Sequence, residues 1–237
     1  MTDNRGMAET RTHAVVTPTH GRYLVDSPDG AGPRPVLLGF HGYGEHAGVM
    51  QAVLARLDPG NEWLRVAVQG LHRFYDRGAN QVVASWMTRE DREHAIDDNV
   101  AYALTVRDVV ARDYAVKAQQ VLVGFSQGVA QAYRSAMAYG APCCGIIALG
   151  GDVPPDVAPA AAGLPPVLVG RGRGDTFYTG EMFAADVARL RAAGVDVTAH
   201  EFDGGHEWSD PFVTAAAAWL AARRQGRSSS RAGASHT

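Results

Sequence analysis

Short apolar runs alternate with longer amphipathic stretches along most of the chain. Five runs are almost wholly apolar and are bounded by Gly or Pro, namely residues 36–40, 64–68, 121–125, 146–149 and 167–169. Runs of this kind are typical of strands buried on both faces of a parallel sheet. Apolar residues recur at helical spacing between them, as at Ile96, Val100 and Ala103. The pattern predicts an α/β fold in which helices cover both faces of a mostly parallel central sheet.

Further elements follow from the same periodicity. Helices are expected over residues 127–139, 180–193 and 210–222. Residues 195–200 alternate apolar and polar side chains, which predicts an edge strand with Val197 and Ala199 facing inward and His200 facing outward. Apolar residues at 15–16 and 23–25 predict a hairpin at the edge of the sheet.

The two ends of the chain differ in composition from the middle. Residues 1–12 are polar and charged and contain no apolar signal segment. Residues 223–237 carry four arginines and no acidic residue. We therefore predict one domain over residues 13–222, a disordered arm at 1–12 and a disordered basic tail at 223–237.

Charge and cysteine content narrow the class of protein. The formal net charge of −3 gives no basic face of the kind that nucleic acid requires, so no nucleic-acid partner is expected. The cysteines, Cys143 and Cys144, are adjacent and cannot form a disulfide framework, which favours a reducing compartment. The longest apolar stretch near the end, residues 213–222, is too short to span a membrane. The expectation is a soluble, cytoplasmic protein.

A candidate nucleophile lies where a predicted strand meets a predicted helix. Gly124, Phe125, Ser126, Gln127 and Gly128 form a GxSxG sequence between the apolar run at 121–125 and the helix at 127–139. The flanking glycines allow a sharp turn that exposes the serine hydroxyl above a helix N-terminus. Partial positive charge at that terminus favours the negative charge that develops on an attacked carbonyl oxygen.

A serine nucleophile needs a base and an acid, and both follow at predicted strand ends. Asp175 follows the run at 167–169, and His206 follows the edge strand. The order Ser, Asp, His is the order found in α/β-hydrolases. Asp152, after the run at 146–149, and Asp203, close to His206, remain alternatives for the acid.

An oxyanion hole requires two backbone N–H donors. One is expected from Gln127, which follows the nucleophile, and the other from Tyr43 in the loop after the run at 36–40. The same loop contains His41, Glu45 and His46, but their spacing does not match a helical metal motif. No metal ion or organic cofactor is expected.

The sequences HGYGE, GFSQG, GRGD and GGHEW, in this order, resemble the phospholipase/carboxylesterase branch of the serine α/β-hydrolases over about residues 35–220. The resemblance implies a small esterase without a large lid, with Ser126 as nucleophile, Asp175 as acid and His206 as base. It also implies backbone oxyanion donors at Tyr43 and Gln127. That family usually has His-Gly shortly before its acid and Val-Pro after it. Here Arg171-Gly172 precedes the acid, and Thr176, Phe177 and Tyr178 follow it. We therefore do not assign the family's substrates to this protein.

The segment at 150–166 is short and rich in proline, which leaves no room for a lid domain. An open apolar cleft is therefore expected, lined by some of Tyr43, Phe74, Tyr75, Trp86, Met87, Phe177 and Trp208. Such a cleft favours a small-molecule ester, or a thioester, with a small or medium acyl group. A peptidase or acyltransferase with the same residues, and a non-catalytic binding module, are the alternatives.

Overall fold

The computed structural model describes residues 10–28, 32–78, 80–140 and 143–225. Nine strands are found there: β1 (Arg22–Asp26), β2 (Arg34–Phe40), β3 (Leu64–Gln69), β4 (His72–Asp76), β5 (Gln81–Ser85), β6 (Val116–Phe125), β7 (Cys143–Leu149), β8 (Val167–Gly172) and β9 (Val197–Phe202). The helices are α1 (Ala47–Leu57), α2 (Arg92–Asp113), α3 (Gln127–Tyr139), α4 (Gly180–Ala192) and α5 (Asp210–Gln225).

Seven strands form one sheet in the order β1-β3-β2-β6-β7-β8-β9. β1 runs antiparallel to β3, and all other neighbours are parallel. The carboxyl ends of the six parallel strands therefore meet at one edge of the sheet. Loops that follow these strands carry all of the candidate site residues, as is usual for binding sites of open α/β sheets.

Helices cover both faces of the sheet, as the apolar runs predict. Leu37 on β2 belongs to a core cluster with α1 and α5, whereas its neighbour Leu38 belongs to a cluster with α2, α3 and α4. Because successive strand residues point to opposite faces, a strand in the middle of three layers must be apolar at every position. The fold prediction is confirmed, and β9 is at the sheet edge as expected.

The predicted N-terminal hairpin is wrong. β1 contains the expected Tyr23, but it pairs with β3 rather than with residues 15–16. Val15 and Val16 are 87% and 95% exposed and lie outside any strand. The open edge of β3 offers β1 a complete ladder of backbone partners, whereas Pro18 lacks the N–H that a paired strand after Val16 would need.

The predicted orientation of the β9 side chains is also wrong in part. Ala199 is exposed, whereas His200 is half-buried with its ring 5.7 Å from the ring of Phe212 on α5. Val197 packs against the opposite core cluster. Helices therefore cover parts of both faces of this edge strand, and an alternating sequence does not decide which residues they cover.

β4 and β5 form an antiparallel hairpin, a separate two-stranded sheet that was not predicted from the sequence. Its turn contains Asn80 at a positive φ of 49°, and short apolar runs flank the turn, which is a recognisable hairpin signal. An isolated bridge between Glu45 and Ala84 joins this hairpin to the loop after β2.

The structure also describes the proline-rich segment between β7 and β8 and the C-terminal end of the predicted domain. Residues 150–166, between β7 and β8, contain a short 3-10 helix (Ala158–Gly163) and no lid. α5 extends through Arg223 and Arg224 to Gln225, beyond the predicted domain boundary at 222. The rest of the predicted tail, and residues 1–9 of the predicted arm, lie outside the described residues. Within the described ranges, we find no helix that combines the length and apolarity needed to cross a membrane.

Candidate active site

Ser126 occupies a strained turn between β6 and α3. Its φ of 51° and ψ of −119° are unusual for a residue with a side chain. The turn depends on close backbone approach, because a Cβ on Gly128 would lie 2.2 Å from the carbonyl oxygen of Phe40. The amide of Ser126 donates to the carbonyl of Leu149 at 2.9 Å, which ties the turn to β7. A strained turn between a strand and a helix is the geometry that a nucleophile elbow requires, and this turn is called the elbow below.

Asp175 and His206 are brought into direct contact across two neighbouring loops. His206 Nδ1 lies 2.7 Å from Asp175 Oδ2, and the Asp175 side chain is only 1% exposed. The other oxygen, Oδ1, accepts hydrogen bonds from the amides of Phe177 at 2.8 Å and Tyr178 at 3.0 Å. The carboxylate is thus held at both oxygens, so the imidazole has one defined orientation.

The two loops pack together with backbone in contact. Gly174 donates its amide to the carbonyl of Gly204 at 2.8 Å, and a Cβ on Gly172 would lie 2.2 Å from the carbonyl oxygen of Gly205. Only glycine at position 172 permits this approach. The glycines around the acid and the base therefore position the two side chains relative to each other.

His206 lies beside the elbow, with its ring 4.9 Å from the ring of Phe125, the residue before Ser126. The hydrogen bonds of the described residues include none between the Ser126 hydroxyl and His206. Hydrogen bonds of catalytic groups are often long in unliganded enzymes and shorten when a substrate is bound. Because Nδ1 faces Asp175, Nε2 is the ring nitrogen left for Ser126.

The alternative acids are not in contact with His206. Asp203 is 97% exposed at its side chain and pairs with Arg173 at 3.3 Å. Asp152 is exposed and has no hydrogen-bond partner among the described residues. Of the acids that the sequence left open, Asp175 alone contacts the histidine within the described part of the chain.

The expected oxyanion donors are the backbone amides of Tyr43, in the loop after β2, and Gln127, the first residue of α3. Within the described ranges, neither the amide of Tyr43 nor that of Gln127 has a hydrogen-bond partner. The neighbouring amide of Gly42 donates to Glu45 Oε2 at 2.7 Å. Burial raises the pKa of the Glu45 carboxyl, and the Gly42 hydrogen bond and the nearby His206 oppose that shift.

His41 stabilises the loop that carries Tyr43. It is fully buried, its Nδ1 lies 2.7 Å from the carbonyl of Gly42, and its Nε2 accepts from the amide of Gly70 at 3.0 Å. This arrangement requires a neutral ring with its proton on Nδ1. Burial lowers the pKa of His41 from 6.5 to about 4.

The side chain of Gln127 has a role that sequence reasoning missed. Its Oε1 accepts from the amide of Trp86 at 2.8 Å, and its Nε2 donates to the carbonyl of Met87 at 2.9 Å. Trp86 Nε1 in turn donates to the carbonyl of His41 at 2.8 Å. One polar network therefore joins the turn containing Gln127 to the loop containing Tyr43. No local signal marks it, because its members are distant in sequence.

Exposed aromatic side chains surround the site. Tyr43 is 63% exposed, its ring lies 5.5 Å from that of Phe74, and both line a cavity of about 480 Å³ together with Tyr75. On the other side, Phe177 is 76% exposed with its ring 5.1 Å from that of His206. These four residues belong to the set expected to line a cleft, but Ser126, Asp175 and His206 do not line this cavity.

Two of the expected cleft residues are placed elsewhere. Trp86 is 2% exposed and belongs to the core, so it is not among the members of the expected set that could line a cleft. Trp208 is half-buried between Phe125 and Phe212 at ring distances of 5.8 and 5.7 Å. A larger cavity of about 740 Å³ lies between residues 14–21 and α2, and none of the candidate site residues lines it.

Solved esterase structures share this fold. Esterase PE8 is 24% identical with a TM-score of 0.68, and the match covers 86% of this chain and 99% of that chain. A Bacillus cereus carboxylesterase is 19% identical with a TM-score of 0.69, covering 86% and 94% of the two chains. Acyl-protein thioesterase 2 of Zea mays is 19% identical with a TM-score of 0.66, covering 86% and 99%. No protein-family model and no curated protein sequence match the chain. The chain has the α/β-hydrolase fold.

Proposed function

We propose that this protein is a serine hydrolase that cleaves carboxylic esters, or thioesters, with small or medium acyl groups. The observation that carries the proposal is the strained elbow at Ser126 on the same sheet edge as the Asp175–His206 pair, whose hydrogen bond is 2.7 Å long. Strain at a polar residue of this kind is typical of a functional site. The esterase and thioesterase names of the structural neighbours support the same class of reaction.

The reaction proceeds through a covalent serine ester. His206 Nε2 takes the Ser126 hydroxyl proton as Oγ bonds to the substrate carbonyl carbon. The amides of Tyr43 and Gln127 donate to the resulting oxyanion. The alcohol, or the thiol of a thioester, leaves with the proton from His206. A water molecule then attacks the acyl-enzyme by the same path, which releases the carboxylic acid and restores Ser126.

Asp175 orients the imidazole and stabilises its protonated form. Its buried carboxylate receives Nδ1–H of His206 and two backbone amides, so it needs no reorganisation during the reaction. A hydroxyl without such a base is a weak nucleophile at neutral pH. In this proposal the pair is the feature that turns Ser126, a partly buried serine, into a nucleophile.

The preference for small or medium acyl groups rests on the open cleft. Tyr43 and Phe177 are both more than half exposed, so apolar groups on the substrate gain partial burial only. A long acyl chain would extend into solvent. We expect the specificity constant for p-nitrophenyl esters to peak between acetate and octanoate, and a peak at palmitate would contradict this preference.

The deciding experiment compares wild type with Ser126→Ala in ester hydrolysis and in labelling by a fluorophosphonate. Turnover and labelling that are both lost in the variant would support the proposal. Labelling of Ser126 without ester turnover would instead indicate a peptidase or acyltransferase, which amide substrates and acyl acceptors would separate. Neither turnover nor labelling in wild type would favour a binding module.

A further inference from the structure

Arg171 is a buried cation at the end of β8, close to the acid. Its exposed fraction is 8%. Arg171 lies opposite Glu201 in the register of β8 and β9, and its Nη1 donates a hydrogen bond to Glu201 Oε1 at 2.7 Å. A charged side chain that is buried in this way must be stabilised by specific partners.

The guanidinium also contacts the backbone on both sides of Asp175. Its Nε donates to the carbonyl of Tyr178 at 3.0 Å, and its Nη2 donates to the carbonyl of Arg173 at 3.0 Å. These two carbonyls lie two residues before and three residues after the acid. Arg171 thus spans the whole turn that carries the carboxylate.

The same turn supplies the amides that hold Asp175. Tyr178 donates its amide to Asp175 Oδ1 and offers its carbonyl to Arg171, so one residue connects the guanidinium to the carboxylate. Phe177 supplies the second amide. A shift of the turn would move both amides, and with them the oxygen that faces His206.

We propose that Arg171 is a positioning residue that holds Asp175 in register with His206. The inference rests on the proposed function. A guanidinium suits the role because it is planar and always charged, and its donors point in fixed directions that reach three acceptors at once. An ammonium group at the same place is a single point charge, so it cannot bridge both carbonyls and keep the contact with Glu201.

A double-mutant cycle separates positioning from a general contribution to stability. kcat and KM for p-nitrophenyl butyrate are measured for wild type, Arg171→Met, Asp175→Asn and the double variant. We expect Arg171→Met to lower kcat about thirtyfold with KM within about twofold, since misplaced catalytic groups reduce rate by such factors. In the Asp175→Asn background the same change should alter kcat by less than about twofold, because the group it positions is already impaired.

Two further variants control for folding and for charge. Arg171→Lys keeps the pairing with Glu201 and should lower kcat about tenfold with little change in Tm; it replaces Arg171→Met in the cycle if that variant does not fold. Arg173→Met removes a neighbouring cation that also pairs with Glu201, at 3.4 Å, but has a side chain 59% exposed. It should leave kcat within about twofold of wild type.

Each outcome has one meaning. Equal losses of kcat in both backgrounds, or wild-type kcat in Arg171→Lys, would overturn the positioning role while leaving the proposed function in place. Absence of wild-type turnover, together with absence of fluorophosphonate labelling, would overturn the proposed function and this inference with it. A loss of kcat that is seen when Asp175 is intact, and not in the Asp175→Asn variant, would establish that Arg171 acts through Asp175.

Discussion

His206 Nδ1 lies 2.7 Å from Asp175 Oδ2, and the second oxygen of the same carboxylate accepts two backbone amides. Among the described residues, the hydrogen bonds to the Asp175 carboxylate come from its own turn and from His206. This arrangement explains why residues 172–178 contain both glycine and large side chains. The glycine at 172 permits contact with the histidine loop, and the bulk of Tyr178, which is 1% exposed, anchors the turn in the core.

The first prediction concerns the identity of the acid. Asp175→Asn should lower kcat by about 10⁴, because an amide cannot stabilise the protonated imidazole and favours the wrong tautomer. Asp203→Asn and Asp152→Asn should leave kcat within about twofold, since neither carboxylate contacts His206. The assay is steady-state ester hydrolysis. A near-silent Asp175→Asn together with an inactive Asp152→Asn would reverse the assignment.

The second prediction concerns the side chain of Gln127. Gln127→Leu removes the hydrogen bonds to Trp86 and Met87 but keeps the backbone amide, so the proposed oxyanion donor remains while the side-chain hydrogen bonds beside it are lost. We expect kcat to fall about tenfold to hundredfold with little change in KM, somewhat less than the loss caused by removing a donor outright. Affinity for a boronic acid that mimics the tetrahedral intermediate should fall in parallel.

Trp86→Phe is the matched variant for this network. It removes the Nε1 donor to His41 but keeps most of the buried ring, and it should reduce kcat in the same direction by a smaller factor. Unchanged inhibitor affinity in Gln127→Leu would show that its side chain does not support the oxyanion donor.

The third prediction is a pH dependence of stability. The pKa of His41 is about 4 in the folded protein and 6.5 when unperturbed, so between these values the unfolded chain binds a proton that the folded chain does not. Stability due to this residue is complete above pH 6.5 and is lost as the pH falls towards 4, by about 3 kcal/mol. His41→Gln should therefore lose less stability than wild type over this range. Urea unfolding at several pH values measures the difference, and parallel curves would rule out this contribution.

The fourth prediction concerns Phe177, the exposed ring beside His206, the proposed general base. In the proposed reaction His206 protonates the leaving alcohol, so we expect that alcohol to lie near Phe177, whose ring is 5.1 Å from that of His206. Phe177→Ala should raise KM for benzyl acetate severalfold and leave kcat/KM for ethyl acetate within about twofold. The small ester is the control, since it lacks a group that could reach the ring. Equal losses for both esters would point to a disturbed Asp175 turn instead.

The fifth prediction defines the C-terminal boundary. Arg223 lies over the ring of Trp219 at 4.2 Å and pairs with Asp196, and Arg224 pairs with Glu62 at 2.7 Å. A chain ending at Ala222 should be less stable than one ending at Gln225 by on the order of 1 kcal/mol. Thermal unfolding of the two truncated chains tests this, and equal Tm values would support the boundary at 222.

Local sequence was most informative where one stretch of chain determines its own structure. The apolar runs at 36–40, 121–125 and 146–149 are strands because burial on both faces leaves no position for a polar residue. The elbow around Ser126 was predictable because its glycines and its strand-to-helix setting are contiguous. The hairpin of β4 and β5 was missed although its turn signal was present, because its strands are largely exposed and only weakly apolar.

The sequence by itself determined the fold class and the order of the candidate nucleophile, acid and base. These features depend on contiguous stretches of sequence, namely the apolar runs and the residues that directly follow predicted strands. Tertiary structure alone decided which of three acids contacts His206, and it placed Trp86 in the core rather than in the cleft. It also revealed the hydrogen bonds that the side chains of Gln127 and Arg171 make to neighbouring loops. The physical reason is that hydrogen bonds between distant segments depend on how loops approach one another, and no local periodicity encodes that approach.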